Sequence, residues 1–275
     1  MSATFQIEKL DTEDQVLEIG THYIPDGEML LRNAIYSLFS ADSDDEDTFL
    51  LAEGVYWSLG ELINNANKAN NRWALLETAL IKRITEEDPS ADKDVVKEDI
   101  QAAIEHNQAD ILKRYGLDTV DLTASILKLI EKHRTNSFAL SARFNKKITL
   151  TMRVQKRGSQ NLLIANVINN SPITLIDRER VEYNLDRIKD DLIQAGSHPF
   201  ETAVNLYEKG ADYAGGGFGA GLRSIILFLK AGYDPFLVDI MFSRLIQYRS
   251  AGKNTIFTIE IPIPTVKRTA IQPHG

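Results

Sequence analysis

Apolar residues recur at helical spacing along residues 51–66, and polar residues occupy an adjacent face of the same stretch. A period near 3.6 residues predicts an amphipathic helix. Glu61, Asn65 and Lys68 lie at i, i+4 and i+7, so this helix would present them together at the margin of a core. The apolar stripe consists of Leu51, Val55, Leu59, Leu62 and Ala66.

Other periodic segments predict the remaining elements. Apolar stripes predict helices over 27–39, 92–115, 119–133 and 181–195. Alternating branched apolar and polar residues predict strands at 5–10, 138–144, 147–154, 161–169 and 252–262. Helices gathered on one face of a sheet predict an α+β protein, built as a two-layer α/β sandwich.

These elements divide the chain into three parts. Residues 1–45 form an N-terminal strand and helix appendage, followed by an acidic loop at 42–47. Residues 46–265 form the main domain, and residues 266–275 form a tail. The helices between 86 and 134 form an insertion, which either packs on the domain or is presented to a protein partner.

Composition narrows the class of protein. With 275 residues and 43% hydrophobic content, the chain can bury a substantial core. The net charge of -8, without a basic stripe, argues against a nucleic-acid-binding protein. The chain contains no cysteine, which excludes disulfides and thiol catalysis. It has neither an apolar run of about 18 residues nor a signal peptide, which predicts a cytoplasmic protein without a membrane segment.

The polar face of the helix over 51–66 indicates a ligand. A buried amide or carboxylate without a hydrogen bond costs about 1 to 3 kcal/mol, so such a face needs partners. A bound magnesium nucleotide would supply them, because magnesium takes oxygen ligands. A polar face that is merely solvated or capped by loops is the alternative, and this segment alone does not decide between the two.

Glycines are concentrated at 215–221, where five of the seven residues are glycine. The backbone there can turn and approach a ligand closely. Helical periodicity resumes at 222–229, and the first amides of that helix would form an anion site. Gly215, Gly217 and Ala220 also match a dinucleotide-binding motif, but no predicted strand precedes them, which argues against that motif. A flexible glycine hinge that binds no ligand is a further alternative.

Three segments resemble one superfamily. Glu-Leu-Ile-Asn-Asn-Ala-Asn-Lys-Ala at 61–69 resembles the N-box of the Bergerat-fold ATP-binding proteins, which include gyrase B, Hsp90, sensor histidine kinases and MutL. The glycine run is similar to the second glycine box of that family, and 252–262 resembles its closing strand. The resemblance implies a Bergerat-type sandwich with a helical insertion, and ATP and Mg²⁺ as its ligands.

The resemblance also implies a role for each matching residue. Asn65 would be the Mg²⁺ ligand, Lys68 a phosphate contact, and Glu61 the base for the attacking water. Thr255 would lie under the adenine. The phosphate contacts of the second glycine box would come from Gly215, Gly217, Gly219, Gly221 and Leu222.

The chain departs from the family at the first glycine box. There the family has Asp-x-Gly-x-Gly, whose aspartate accepts a hydrogen bond from the adenine amino group. Asn169 stands at the aspartate position and both glycines are missing. Asparagine accepts through its carbonyl oxygen, or fails to accept if its amide is turned the other way. Loss of one charge-assisted hydrogen bond would weaken binding about ten- to a hundred-fold.

Two functions follow as hypotheses. In the first, the chain binds Mg-ATP in the manner of histidine kinases, gyrase and Hsp90, and ATP hydrolysis or phosphoryl transfer in signalling is left open. In the second, it is a non-catalytic, degenerate relative that acts as a scaffold and binds a protein through the insertion. Either function is compatible with a homodimer.

Overall fold

The fold was examined in a computed structural model, which shows helices and an antiparallel sheet and is therefore α+β. The predicted helix at 119–133, the predicted strand at 138–144 and the glycine run at 215–221 lie outside the described residues. The structure describes residues 7–9, 14–17, 25–39, 46–105, 109–114, 146–158, 160–171, 173, 178–179, 181–183, 227, 246–251 and 254–263.

One long helix dominates the described helices. It is α2, which spans Glu46–Glu87 over 42 residues and confirms the predicted helix with its polar face. It begins inside the predicted acidic loop, because acidic side chains in a first turn stabilise the positive end of a helix. The preceding helix is α1, Pro25–Phe39. None of the described helices has both the length and the apolar character needed to cross a membrane.

The insertion differs from its prediction. Instead of one helix over 92–115, the described part contains α3, Lys93–Glu105, and α4, Ala109–Arg114. The Asp92 carboxylate accepts a hydrogen bond from the Asp94 amide at 2.9 Å and so caps the start of α3. Residues 181–183 are helical and agree with the start of the predicted helix there.

The six strands that the structure describes form one antiparallel sheet in the order β1-β2-β3-β4-β6-β5. The predicted strands are confirmed as β1, β3, β4 and β6, with shifted ends. β2 and β5 were not predicted, and both are short, with four and six residues. The strands span Ile7–Lys9, Asp14–Leu17, Ile148–Arg157, Gln160–Asn169, Ile246–Ala251 and Asn254–Ile263.

A tight hairpin joins β3 to β4. Arg157 pairs with Gln160, which leaves a two-residue connection. Gly158 has a φ of 66°, a left-handed conformation that glycine adopts without a steric penalty. The hairpin fixes the register of the two central strands.

The core lies between the sheet and helices α1 and α2. Alternate residues of β3, β4 and β6 face this core, because successive side chains of a strand point to opposite faces. From the sheet the core contains Ile148, Leu150, Met152, Leu163, Ala165, Val167, Phe257, Ile259 and Ile261. From the helices it contains Leu31, Ile35, Phe39, Leu51, Ala52, Val55, Leu59, Leu62, Ile63 and Ala66.

A polar cluster fixes α1 to the first half of α2. Arg32 donates a hydrogen bond of 2.6 Å to Glu53 Oε1, and the Tyr36 hydroxyl donates to the same oxygen. The indole of Trp57 donates to Glu53 Oε2 at 3.0 Å. One carboxylate therefore accepts from both helices and holds them in register.

The core assignment predicts the effect of truncating Leu59. This side chain is fully buried in the core, so Leu59→Ala should lower the free energy of unfolding by about 2 to 5 kcal/mol. Leu50→Ala, on an exposed part of the same helix, is the matched control and should cost much less. Urea unfolding followed by circular dichroism measures both, and equal losses would contradict the packing of α2 described above.

Candidate functional site

The predicted polar face lies on α2 as expected. Glu61, Asn65 and Lys68 all belong to this uninterrupted helix, and its spacing places them on one side. Glu61 and Asn65 are buried, whereas Lys68 is exposed. The face therefore runs from the interior toward the surface, with its cation at the outer end.

Asn65 is the most unusual residue of this face. Only 2% of it is exposed, yet its Oδ1 makes no hydrogen bond with any described residue. An unsatisfied buried polar group costs about 1 to 3 kcal/mol. Asn65 is therefore a candidate ligand-binding residue.

Glu61 is perturbed by the same surroundings. Burial raises the pKa of its carboxyl group, while the charge of Lys68 and a hydrogen bond with the side chain of Asn65 oppose this shift. Burial disfavours the charged form because the carboxylate loses hydration. The result is a carboxyl group that holds its proton to a higher pH than an exposed glutamate does.

A second polar region lies at one end of the sheet, on the face that packs against the helices. The core-facing row of β4 ends in Val167 and then Asn169, and the row of β6 begins with Thr255 before Phe257. Asn169 and Thr255 are paired neighbours in the sheet, and both are buried. The apolar rows therefore give way to polar side chains at the same end of adjacent strands.

These polar residues bond to one another in a specific way. The Thr255 amide donates to Asn169 Oδ1 at 3.2 Å, and the Thr255 hydroxyl donates to the Ser171 carbonyl at 2.8 Å. Ser171 is fully buried, and its own hydroxyl has no partner among the described residues. The orientation of the Asn169 amide, which the sequence left open, is thus set by the backbone of Thr255.

The second half of α2 is tied to this end of the sheet. Asn70 Nδ2 donates to the Lys147 carbonyl at 3.3 Å, and the backbone N–H of Asn170 donates to the same carbonyl at 3.1 Å. The Lys147 amide donates in turn to Asn170 Oδ1 at 2.5 Å. Lys147 directly precedes Ile148, the partner of Asn169 in the sheet. The helix and the polar strand ends therefore meet at Asn70.

A cation-π contact reinforces the same junction. Lys146 Nζ lies 5.7 Å from the centre of the Trp73 ring, one turn of α2 beyond Asn70. Both side chains are buried. Because Lys146 also precedes β3, this contact holds the helix against the sheet end from a second position.

Unsatisfied buried atoms concentrate around this junction. Besides Asn65, the atoms Asn70 Oδ1, Trp73 Nε1 and Ser171 Oγ lack partners among the described residues. Asn65 lies about 7.5 Å along the helix axis from Asn70 and about 140° around it, so the two side chains leave α2 in different directions. We call the region around Asn70 the strand-end site, defined by Asn70, Asn169, Ser171 and Thr255.

The structure connects α2 to the strand ends through Asn70, a residue that was not predicted. Asn70 links the turn of α2 that follows Asn65 and Lys68 to the strand ends that contain Asn169 and Thr255. Gly215, Gly217, Gly219, Gly221 and Leu222 lie outside the described residues, so their convergence with α2 stays a prediction.

Sequence reasoning missed Asn70 and Ser171. The available signal for Asn70 was an asparagine five residues after Asn65 on an otherwise apolar helix. Ser171 was seen only as a departure from the glycine pattern. Both are recognised by their partners across the fold, Lys147 and Thr255, which the sequence does not reveal.

Comparison with known proteins finds no family model, no curated protein and no solved structure that matches the chain.

The raised pKa of Glu61 predicts a pH-dependent stability. A carboxyl group with a raised folded-state pKa stabilises the fold below its unfolded pKa, near 4.5, and this contribution is lost as the pH rises through the folded value. Glutamine stays neutral throughout. Glu61→Gln should therefore raise the melting temperature at neutral pH, with a smaller gain as the pH falls toward 4.5. Thermal melts across this range test this, and a gain independent of pH would contradict it.

Proposed function

We propose that this protein binds a magnesium nucleoside triphosphate at the strand-end site and the polar face of α2, with a Bergerat-type two-layer sandwich and 86–134 as its insertion. The observation that supports this most is the unsatisfied amide oxygen of Asn65, buried beside a carboxylate and one turn from a lysine. ATP is the nucleotide that the resemblance implies. Gly215 to Leu222 would contribute backbone amides to its phosphates.

The residues present fit magnesium in a nucleotide complex. Asn65 Oδ1 is a neutral oxygen atom without a partner among the described residues, and Mg²⁺ takes oxygen ligands. Among the described residues, no three histidine, cysteine or acidic side chains come together as a metal site. In nucleotide sites, magnesium is usually held by one or two protein groups together with phosphates and water.

Lys68 and Glu61 would complete the triphosphate end. Lys68 is exposed at the outer end of the polar face, where its charge would offset that of a phosphate. Bound Mg²⁺ would neutralise charge that develops on the phosphates during transfer. Glu61 would orient a water, and its raised pKa brings it nearer the range in which a carboxylate acts as a general base.

The fold supports the proposal in a second respect. A long helix with its polar face at the core margin lies against β3 and β4 of an antiparallel sheet, so the helix and the strand ends flank one region. A ligand that satisfies Asn65 can extend toward Asn169 and Thr255 along the same side of the sheet. This arrangement suits an elongated ligand with a charged end and a planar end.

Binding is tested by isothermal titration of ATP with and without Mg²⁺. The wild type should bind, and Asn65→Ala should lose the Mg²⁺ dependence. Because Asn65 Oδ1 has no partner among the described residues, the substitution should change the melting temperature of the free protein little. Asn67→Ala, a half-buried asparagine of the same helix outside the polar face, is the control and should bind normally.

Two results would contradict the proposal. One is the absence of binding heat from the wild type at millimolar nucleotide. The other is Mg²⁺-dependent binding that survives Asn65→Ala unchanged.

Turnover is tested through Glu61. If the wild type releases phosphate from the nucleotide, Glu61→Gln should abolish release while changing the dissociation constant by less than about threefold, since glutamine keeps the size but cannot act as a base. A release assay beside the titration separates chemistry from binding. Phosphate release by Glu61→Gln at the wild-type rate would remove the role of general base from this residue.

A scaffold function remains the second candidate, and exposed apolar side chains favour it. Phe49 and Trp57 on α2, Met29 on α1 and Val95 on α3 are large apolar residues that the described structure leaves exposed. A contiguous patch of such side chains would mark a site of protein contact. A protein partner at α3, within the insertion, is compatible with nucleotide binding at the strand-end site.

A further inference from the structure

Four aromatic side chains and one arginine form a continuous strip across α1 and α2. The Phe49 ring lies 5.5 Å from the Tyr36 ring, and the Tyr56 ring lies 5.8 Å from the Trp57 ring. The Arg32 guanidinium joins the two pairs, because it lies 5.3 Å from the centre of the Tyr36 ring and 5.8 Å from that of Tyr56. We call these five residues the aromatic strip.

The aromatic strip is held in place by hydrogen bonds and is exposed at both ends. Glu53 accepts hydrogen bonds from Arg32, Tyr36 and Trp57. Trp57 is 42% exposed and Phe49 is 37% exposed. Aromatic and arginine side chains supply much of the binding energy at protein interfaces, and side chains fixed in advance lose less entropy on binding. The strip therefore has the composition and the rigidity of a protein-contact surface.

The charges on α2 are arranged symmetrically about Trp57. Glu46 lies eleven residues before Trp57 and Lys68 lies eleven residues after it, and both are exposed. Eleven residues make about three turns of an α-helix, so the three side chains lie on one side of α2, with each charge about 16 Å from Trp57. This side of the helix has an acidic end, an aromatic centre and a basic end.

We propose that α2 pairs antiparallel with α2 of a second copy of this chain, across a two-fold axis close to Trp57. Rotation about this axis places Glu46 of each copy opposite Lys68 of the other and brings the two indoles together. Because a two-fold interface repeats each contact, this arrangement forms two ion pairs around one aromatic centre. A partner of a single charge would meet a like charge at one end of α2, which favours a second copy.

Gly60 leaves room for close approach near the axis. It lies three residues after Trp57, so the two are neighbours on the helix surface. A Cβ placed on Gly60 would meet no atom within 4 Å outside its own stretch of helix. A large side chain of the second copy, such as its indole, can therefore pack directly against the backbone of α2 at this point.

The proposed pairing does not rest on the proposed function. Lys68 is also assigned to the phosphates there, so the oligomeric state is measured on protein without nucleotide. A monomeric protein would leave nucleotide binding untouched, and a protein that binds no nucleotide could still dimerise.

Sedimentation equilibrium of the full chain over a range of concentrations tests the aromatic centre. The wild type should form a reversible dimer, and Trp57→Ala should raise its dissociation constant by about tenfold or more, because two central indoles are lost. Val95→Ala shortens an exposed apolar side chain on α3, outside the aromatic strip, and should dimerise like the wild type.

Reciprocal charge changes test the antiparallel register. Glu46→Lys and Lys68→Glu each place like charges opposite one another and should each weaken the dimer about tenfold, whereas the double variant should restore it. The two residues lie about 33 Å apart on one helix, so such a rescue must act between copies. Asp47→Lys makes the same charge change about 100° around the helix and should have little effect.

Thermal melts establish that each variant is folded. A wild type that stays monomeric up to millimolar concentration overturns the proposal. So does a dimer that Trp57→Ala leaves unchanged, or one that the double charge variant does not restore. If Trp57→Ala does not fold, the charge variants decide the question.

Discussion

The packing of α2 along one face of the antiparallel sheet is the constraint on which the other features depend. Its apolar stripe enters a core shared with β3, β4 and β6, and this burial fixes the rotation of the helix about its axis. Once the rotation is fixed, Glu61 and Asn65 must lie at the margin of the core, with Lys68 at the surface. The contacts of Asn70 and Trp73 with the residues before β3 then fix its position along the sheet. Burial of the apolar stripe therefore determines where the polar face points, and polar contacts of Glu61, Asn65 and Lys68 are not needed for this.

The same packing leaves an energetic cost at one end of the molecule. Through most of its length the core is apolar on both sides, and polar groups enter it where β4 ends and β6 begins. Some of those groups satisfy one another, as Asn169, Ser171 and Thr255 do. Others have no partner among the described residues, and each of these lowers the stability of the fold. An apolar side chain at the same position would not have this cost. The presence of these groups on α2 and on the strand ends is what a binding site would require. Their mixture of donors and acceptors suits a polar, elongated ligand.

Strong periodicity made much of the fold predictable from sequence. The helix α2 and the strands β3, β4 and β6 form the centre of the protein and repeat apolar residues clearly, because each buries one face. The short strands β2 and β5 escaped prediction because they hold their places through pairing with neighbours, which a local pattern does not record. The polar face of α2 was predictable for the same reason as the helix itself. The orientation of the Asn169 amide was not, since it depends on a backbone N–H that lies 86 residues away in the chain.

A crystal structure of the protein with Mg²⁺ and a non-hydrolysable ATP analogue would test the central claim most directly, namely that the polar face of α2 and the strand ends serve a single ligand. The expected result is one nucleotide that spans both, with the metal coordinated by Asn65 Oδ1. A nucleotide bound elsewhere would contradict this, as would an Asn65 amide whose two polar atoms are satisfied by protein groups alone.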